Sequence, residues 1–269
     1  MIATAGHWSV GLPQIQLCSR SGSRMRTVMT TQIGMRSLAI LGAAFAAAQM
    51  SFAQEIPNRV AWSPSYSGSC TDCSLVGRNM SGWNISKANY PGADLTAASL
   101  RRAQGHDANF RGAQATGVDL RNGDFTGASF EDAILVGASL QDAMFNNSKM
   151  SGVVLTGANL SDGKFIGAIL SDAQLQSGVV HNADFSAATL SGARFEAADL
   201  TGSVFDNAIL LDADFSGATV TDASFRDVRF SGANLEAAIG IETANFEGAC
   251  ASPVSRLPVG LTLPDCLAY

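Results

Sequence analysis

The chain has 269 residues, a formal net charge of −6 at pH 7 and only 15% charged residues. It contains 27 glycines and 46% hydrophobic residues, so it can bury a sizeable core, in one or two domains by length. The acidic balance argues against binding to a phosphate backbone, which requires a basic face.

Residues 1–53 differ in composition from the rest of the chain and are typical of a secretory signal. Arg26 and Arg36 precede the apolar run Ser37–Ala48, and small residues at Ser51 and Ala53 fit a signal-peptidase site. We therefore predict cleavage after Ala53. The apolar run is too short to cross a bilayer comfortably, so no transmembrane anchor is expected in the mature chain.

The length of this leader leaves the translation start open. Either residues 1–53 include an N-terminal extension, or translation begins at Met25, Met29 or Met35. The mature chain keeps 13 basic and 23 acidic residues, a net charge of −10, and begins with a lead-in over residues 54–69. The leader predicts a periplasmic or secreted bacterial protein.

From Leu75 to Leu235 every fifth residue is a large apolar residue. This holds at 31 of 33 positions, the exceptions being Gly105 and Ala115, and the residue two places earlier is Ala at 22 of them. Five residues rotate a helix by about 500° and reverse the face of a strand, so neither element buries this pattern. The chain must turn after each quintet. The residue two places after each large one is Gly, Asp or Asn at 26 positions, and these types tolerate a positive φ.

Residue type also repeats every 20 positions, which indicates four quintets per coil. Large side chains of one kind then stack on each other in ladders, a known way to fill a narrow core. With strand-like spacing, about eight coils over residues 70–247 make a rod on the order of 40 Å long. The clearest candidate core ladder is Phe125, Phe145, Phe165, Phe185, Phe205 and Phe225.

The segments "ADLTAASL", "ANLSDGKF" and "ADFSGATV" resemble the A(D/N)LXX consensus of the pentapeptide-repeat family. The resemblance covers about Ser69–Glu247 and implies an all-β fold, a right-handed quadrilateral parallel β-helix in which the central and small residues point inward. Two departures stand out. Gly105 and Ala115 predict a bulge or loose packing in the coil Arg101–Leu120, and the register slips by one residue after Leu235.

A core filled by Leu, Phe and Ala leaves no room for a ligand pocket, so function is expected on the outside of the rod. Two rows of corner positions are partly acidic, and the row between them is uncharged. Aspartate at a corner either serves the turn through side-chain-to-backbone hydrogen bonds or presents an acidic stripe to a basic partner. The aspartates of this possible stripe are Asp132, Asp142, Asp162, Asp172, Asp212 and Asp222.

Four arginines lie close together in the sequence near Gly105. The group is Arg101, Arg102, Arg111 and Arg121; Arg101 and Arg121 are one coil apart on the same side, whereas Arg111 falls on the opposite side. This arrangement splits the group, and we interpret it as a solvated surface.

Four cysteines remain after cleavage and lie at the two ends of the repeat region. An even number in an exported chain suggests disulfides, whose connectivity the sequence leaves open. We interpret Cys70 and Cys73 as a capping disulfide, which the family resemblance favours; the alternative is a redox or zinc site. Cys250 and Cys266 bracket a proline-containing stretch of the tail, residues 248–269, which we expect to cap the last coil.

The sequence offers little for catalysis. His106 and His181 are expected to point to solvent about four coils apart, and no Ser–His–Asp set converges, so we predict no enzyme activity, no cofactor and no metal.

The favoured function is a rigid structural or protein-interaction rod that binds an unknown protein or envelope component, with nucleic acid an unlikely partner. One alternative, from the resemblance, is an acidic DNA mimic that protects gyrase, although an export signal disfavours it. The other is a redox or metal protein using Cys70 and Cys73.

Overall fold

The backbone turns after every quintet, as the sequence predicts. The computed structural model describes residues 68–266. From Asp72 to Ala237, the residue two places after each central position has a positive φ at every repeat. The N–H of the next residue closes the turn, as where the Ser148 N–H donates to the Phe145 carbonyl at 3.1 Å. A positive φ at the third residue with this hydrogen bond is the signature of a type II β-turn.

Between the turns, single residues form parallel β-bridges with the residue 20 positions later. Within residues 68–266 the regular structure consists of such bridges rather than of extended strands. Four bridges per 20 residues give each coil four sides, which confirms the periodicity read from the sequence. The bridge residues define four faces: face 1 begins Ser69, Asn89; face 2 begins Ser74, Asp94; face 3 begins Asn79, Ser99; face 4 begins Asn84, Gln104.

Backbone hydrogen bonds join each coil to both of its neighbours. The Phe145 N–H donates to the Lys164 carbonyl of the next coil at 2.7 Å, and the Met144 N–H donates to the Gly123 carbonyl of the preceding coil at 2.9 Å. The same pattern recurs along the ladder, so the polar backbone groups are paired although no long strand forms.

The central residues and the small residues two places earlier form one continuous core. The six phenylalanines of the ladder have no exposed surface. Their rings stack in sequence, with centroids 4.8 to 5.3 Å apart and interplanar angles below 20°. This spacing matches that of neighbouring strands, so one aromatic ring fills each coil along this edge of the core.

The prediction of a bulge or loose packing at the coil Arg101–Leu120 is wrong at Gly105. The bridges from Asn84 to Gln104 and from Gln104 to Asp124 keep the 20-residue step. The Phe125 ring fills the space that Gly105 leaves: a Cβ on Gly105 would lie 2.6 Å from Cδ1 of Phe125. A large side chain from the next coil therefore compensates for the missing one.

The predicted register slip after Leu235 is confirmed. The step between bridged residues is 20 up to Thr219↔Ile239 and becomes 21 at Ser224↔Asn245. Phe246 still stacks on Phe225, with ring centroids 5.2 Å apart. The inserted residue is therefore absorbed by the turn before Asn245, and the core continues.

The tail continues the ladder beyond Glu247. Asn234 bridges Arg256 on face 2. Ala251, which follows Cys250 at the end of face 1, bridges Asp265. The chain divides into two units, Met1–Asn58 and Arg59–Tyr269, and the described residues all belong to the second. The predicted signal segment, residues 1–53, and residues 54–67 of the lead-in lie outside the described residues.

Candidate functional site

Asn and Asp at the bridge positions hold the turns through their side chains. The Oδ1 of Asp94, for example, accepts a hydrogen bond from the Thr96 N–H at 3.0 Å. Such a side-chain bond to the N–H two residues later stabilises the turn locally. The residues that make it are Asn79, Asn84, Asp94, Asn109, Asp119, Asp124, Asn159, Asp184, Asp199, Asp214, Asn234 and Asn245.

The six corner aspartates of the possible stripe have a different role. All have φ between 56° and 59°, so they occupy the left-handed corner position itself. Three of them contact neighbouring side chains: Asp132 lies 3.8 Å from the Arg111 guanidinium, Asn122 donates to Asp142 at 3.1 Å, and Asn182 donates to Asp162 at 3.4 Å. These aspartates thus serve the turn through their backbone conformation. The side-chain hydrogen bonds that stabilise the turns are made by Asn and Asp at the bridge positions.

The aspartates also fall into two groups that are not adjacent. Asp132, Asp172 and Asp212 lie at the corner between faces 1 and 2, whereas Asp142, Asp162 and Asp222 lie at the corner between faces 3 and 4. In a four-sided coil these two corners are diagonally opposite. A flat partner can therefore contact one group or the other, and the six do not form a single stripe.

Glycine alternates with aspartate at the corner between faces 1 and 2 for a steric reason. The Oδ1 of Asp172 lies over Gly192, only 2.4 Å from where a Cβ would be, and the Oδ1 of Asp132 lies 2.8 Å from the Cβ position of Gly152. Each aspartate side chain thus covers the glycine of the next coil. The charges on this corner are consequently two coils apart.

The four cysteines form two disulfides, one at each end of the described ladder. Cys70 pairs with Cys73 and Cys250 with Cys266, with Cα–Cα distances of 5.6 and 4.9 Å. Cys70 follows the first bridge residue, and Cys266 follows Asp265, which bridges Ala251. Within residues 68–266, no group of three or more His, Cys, Asp or Glu side chains is arranged to hold a metal ion.

The two histidines point outward, but neither is isolated. The Nε2 of His181 lies 2.8 Å from Oδ2 of Asp199, and that of His106 lies 3.5 Å from Oδ2 of Asp124. Both imidazoles are about half exposed. His181 thus has a carboxylate neighbour, Asp199 of the next coil, which is 18 residues away in sequence.

On face 3, Arg121 forms a bidentate ion pair with Asp119. Arg121 donates from Nε to Oδ1 at 2.8 Å and from Nη2 to Oδ2 at 2.7 Å. Burial acts to raise the pKa of Asp119, but the hydrogen bonds and charge of Arg121 outweigh burial and hold that pKa below its ordinary value. For Asp199, burial is likewise outweighed by hydrogen bonds from Thr201 and by the neighbouring imidazole of His181, and its pKa is also lowered.

Two surface clefts lie near the ends of the described ladder. One, of about 370 Å³, is lined by Ser81, Gly82, Arg101 and Arg102. The other, of about 410 Å³, is lined mainly by apolar residues of the last coil and tail, including Ile241, Phe246 and Leu261. Sequence reasoning found neither, since each cleft brings together residues from different coils.

No helix among residues 68–266 is long and apolar enough to cross a membrane. The large side chains that do project from the faces include four apolar ones exposed by about two fifths: Met144, Ile166, Ile169 and Ile209.

The sequence matches the family model described as pentapeptide repeats, in eight copies. The matched residues are 92–127, 124–162, 168–207, 183–222 and 208–252, which together exceed half of the chain. No curated protein matches the sequence.

Solved structures similar to this chain are themselves pentapeptide-repeat or resistance proteins. HetL from the cyanobacterium Nostoc sp. strain PCC 7120, involved in heterocyst differentiation regulation, is 24% identical over 67% of this chain and 84% of its own, with a TM-score of 0.30. QnrB1, a plasmid-mediated fluoroquinolone resistance protein, is 18% identical over 70% and 83%, with a TM-score of 0.43. A protein of the Arabidopsis thaliana thylakoid lumen is 28% identical over 40% and 72%, with a TM-score of 0.22.

Proposed function

Because the chain belongs to the pentapeptide-repeat family, we propose that it is a non-enzymatic scaffold whose outer faces bind a protein or another component of the bacterial cell envelope. The observation that supports this proposal is which side chains point inward. The central and small residues between Met80 and Leu235 pack in the core, so the charged side chains of the described coils lie on the outside. The right-handed sense of the coil, implied by the family resemblance, is part of the same proposal.

Export to the periplasm is the second part of the proposal. The apolar leader supports it, as do the two disulfides, because such bonds persist in oxidising compartments and are rare in the cytosol. N-terminal sequencing of the protein from fractionated cells should find Gln54 as its first residue in the periplasm. A full-length chain retained in the cytosol would contradict export. A variant that lacks residues 2–53 is the control for the fractionation.

The partner can be sought one face at a time. A photo-crosslinking amino acid placed at Lys164, Ile169, Gln174 or Val179 samples faces 4, 1, 2 and 3 of a single coil. Because these positions are outward and lie at one height on the ladder, the four variants differ only in the direction sampled. We expect one envelope component to be captured mainly from one face. Equal capture from all four faces, or none from any, would contradict a scaffold with a specific surface.

A further inference from the structure

Face 3 begins with a concentration of positive charge in an otherwise acidic chain. Its first three coils carry Arg78, Arg101, Arg102 and Arg121, against the single carboxylate of Asp119. The chain as a whole has a net charge of −6. A local excess of this kind attracts anions even when the whole protein is negative.

The single carboxylate is already engaged by one of these arginines. Both oxygens of Asp119 accept hydrogen bonds from Arg121, whereas the Nε of Arg101 lies 3.9 Å from Oδ2 of Asp119, beyond hydrogen-bond distance. Within residues 68–266, no side-chain hydrogen bond to a protein acceptor is formed by Arg101 or Arg102, and Arg101 is held only by its long ion pair with Asp119. The guanidinium donors of both arginines thus remain available for a ligand.

These two arginines line the cleft of about 370 Å³ together with Ser81 and Gly82. All four lining residues are exposed, so the cleft is an open groove on the surface. The Ser81 hydroxyl shares a hydrogen bond with Ser99 at 2.8 Å and keeps further capacity to donate or accept. A Cβ at Gly82 would have no atom within 4 Å, so this side of the cleft is open to solvent.

Arg102 is unusual for the position that it occupies. Its φ is 55°, the left-handed conformation that glycine, asparagine and aspartate adopt most easily. The same corner carries Gly82 one coil before and Asn122 one coil after. The turn therefore does not require an arginine here; among residues 68–266 the other long cationic side chain at such a corner is that of Lys87, with a φ of 60°.

We propose that this cleft binds the phosphate group of a small phosphorylated ligand. Two guanidinium groups supply planar pairs of N–H donors that match oxyanions, and their two charges balance a phosphate monoester of about −2 at pH above 7. Phosphate offers three oxygens to the two arginines and the Ser81 hydroxyl, whereas a carboxylate offers two and a single charge. Phosphate binding at this cleft does not depend on the proposed scaffold role.

The test is calorimetric titration of the oxidised full-length protein with sodium phosphate at pH 8 and constant ionic strength. We expect saturable binding by the native protein and at least a tenfold loss of affinity in the double variant Arg101→Gln, Arg102→Gln. The matched control is Arg111→Gln with Arg229→Gln, which removes two charges from face 1, and it should bind phosphate as the native protein does. Circular dichroism verifies that both variants fold.

Three results would overturn the proposal: no saturable phosphate binding, an equal loss in both double variants, or acetate binding as tightly as phosphate. Titration with glycerol 3-phosphate and with vesicles containing phosphatidylglycerol then distinguishes whether the phosphate group belongs to a small molecule or to a lipid. Binding of glycerol 3-phosphate with an affinity at least equal to that of phosphate supports a small ligand. Arginine-dependent binding to the vesicles without binding to glycerol 3-phosphate contradicts it.

Discussion

The Phe125 ring packs directly over Gly105 of the preceding coil, where a Cβ would lie 2.6 Å from its Cδ1 and 2.9 Å from its Cε1. Gly123 borders the same ring, with its Cβ position 2.5 Å from Cε2 of Phe125. The two glycines thus make a recess for this ring at the point where the ladder of phenylalanines begins.

Replacing Gly105 with Ala should destabilise the protein, because the new methyl group overlaps the Phe125 ring. Overpacking of this kind costs about 1–3 kcal/mol. Chemical denaturation measures the loss. In the double variant with Phe125→Leu, the cost of the added methyl group should shrink, since the smaller side chain relieves the overlap. Additive losses in the double variant would show that the two residues do not interact.

Removing one ring from the ladder should cost much more than removing an outward side chain beside it. Phe165 is fully buried and stacks on both Phe145 and Phe185 at 5.3 and 4.8 Å. Phe165→Ala should therefore lower the free energy of unfolding by about 3–5 kcal/mol. Its neighbour Ile166 projects outward and is 41% exposed, so Ile166→Ala should change stability by less than about 1 kcal/mol. Similar losses in both variants would contradict an interior stack.

Two buried serines occupy inward positions that Ala usually fills, and they should respond differently to substitution. The Ser203 hydroxyl donates to the Val180 carbonyl, whereas the Ser148 hydroxyl has no hydrogen-bond partner among residues 68–266. Because an unpaired buried hydroxyl is costly, Ser148→Ala should stabilise the protein by about 1 kcal/mol. Ser203→Ala should be neutral or destabilising by about the same amount. Thermal or denaturant unfolding distinguishes the two, and a loss of stability on Ser148→Ala would indicate an unrecognised partner.

The ion pair between Asp119 and Arg121 should make stability depend on pH in the acid range. The pKa of Asp119 is lowered in the folded chain, so its contribution is fully present above the ordinary value of about 3.9 and is lost as the pH falls through the lowered value. Asp119→Asn should therefore cost about 1 kcal/mol at pH 7 and progressively less below pH about 4. Unfolding curves of both proteins from pH 2 to 7 should converge at the acid end. A constant difference would mean that ionisation of Asp119 is irrelevant.

Most of the architecture follows from the sequence because the repeat leaves the backbone few choices. Every fifth residue must face inward and every corner must accept a positive φ, so the spacing and the turn residues specify four-sided coils. The one-residue slip after Leu235 is visible for the same reason, since it displaces Phe246 from the fivefold series. At Gly105, the sequence could not show that the Phe125 ring of the following coil fills the space left by the missing side chain.

Much of the surface required the tertiary structure, because contacts such as that of His181 with Asp199 join residues of different coils. The sequence determined the four-sided coil, the phenylalanine ladder and the outward direction of the histidines, since these depend only on local spacing and on burial of apolar side chains. The structure alone decided that His181 meets Asp199, that Arg121 engages Asp119, and that Arg101 and Arg102 line a cleft. Such contacts depend on side-chain conformations, within a coil and between coils, which the repeat pattern leaves free.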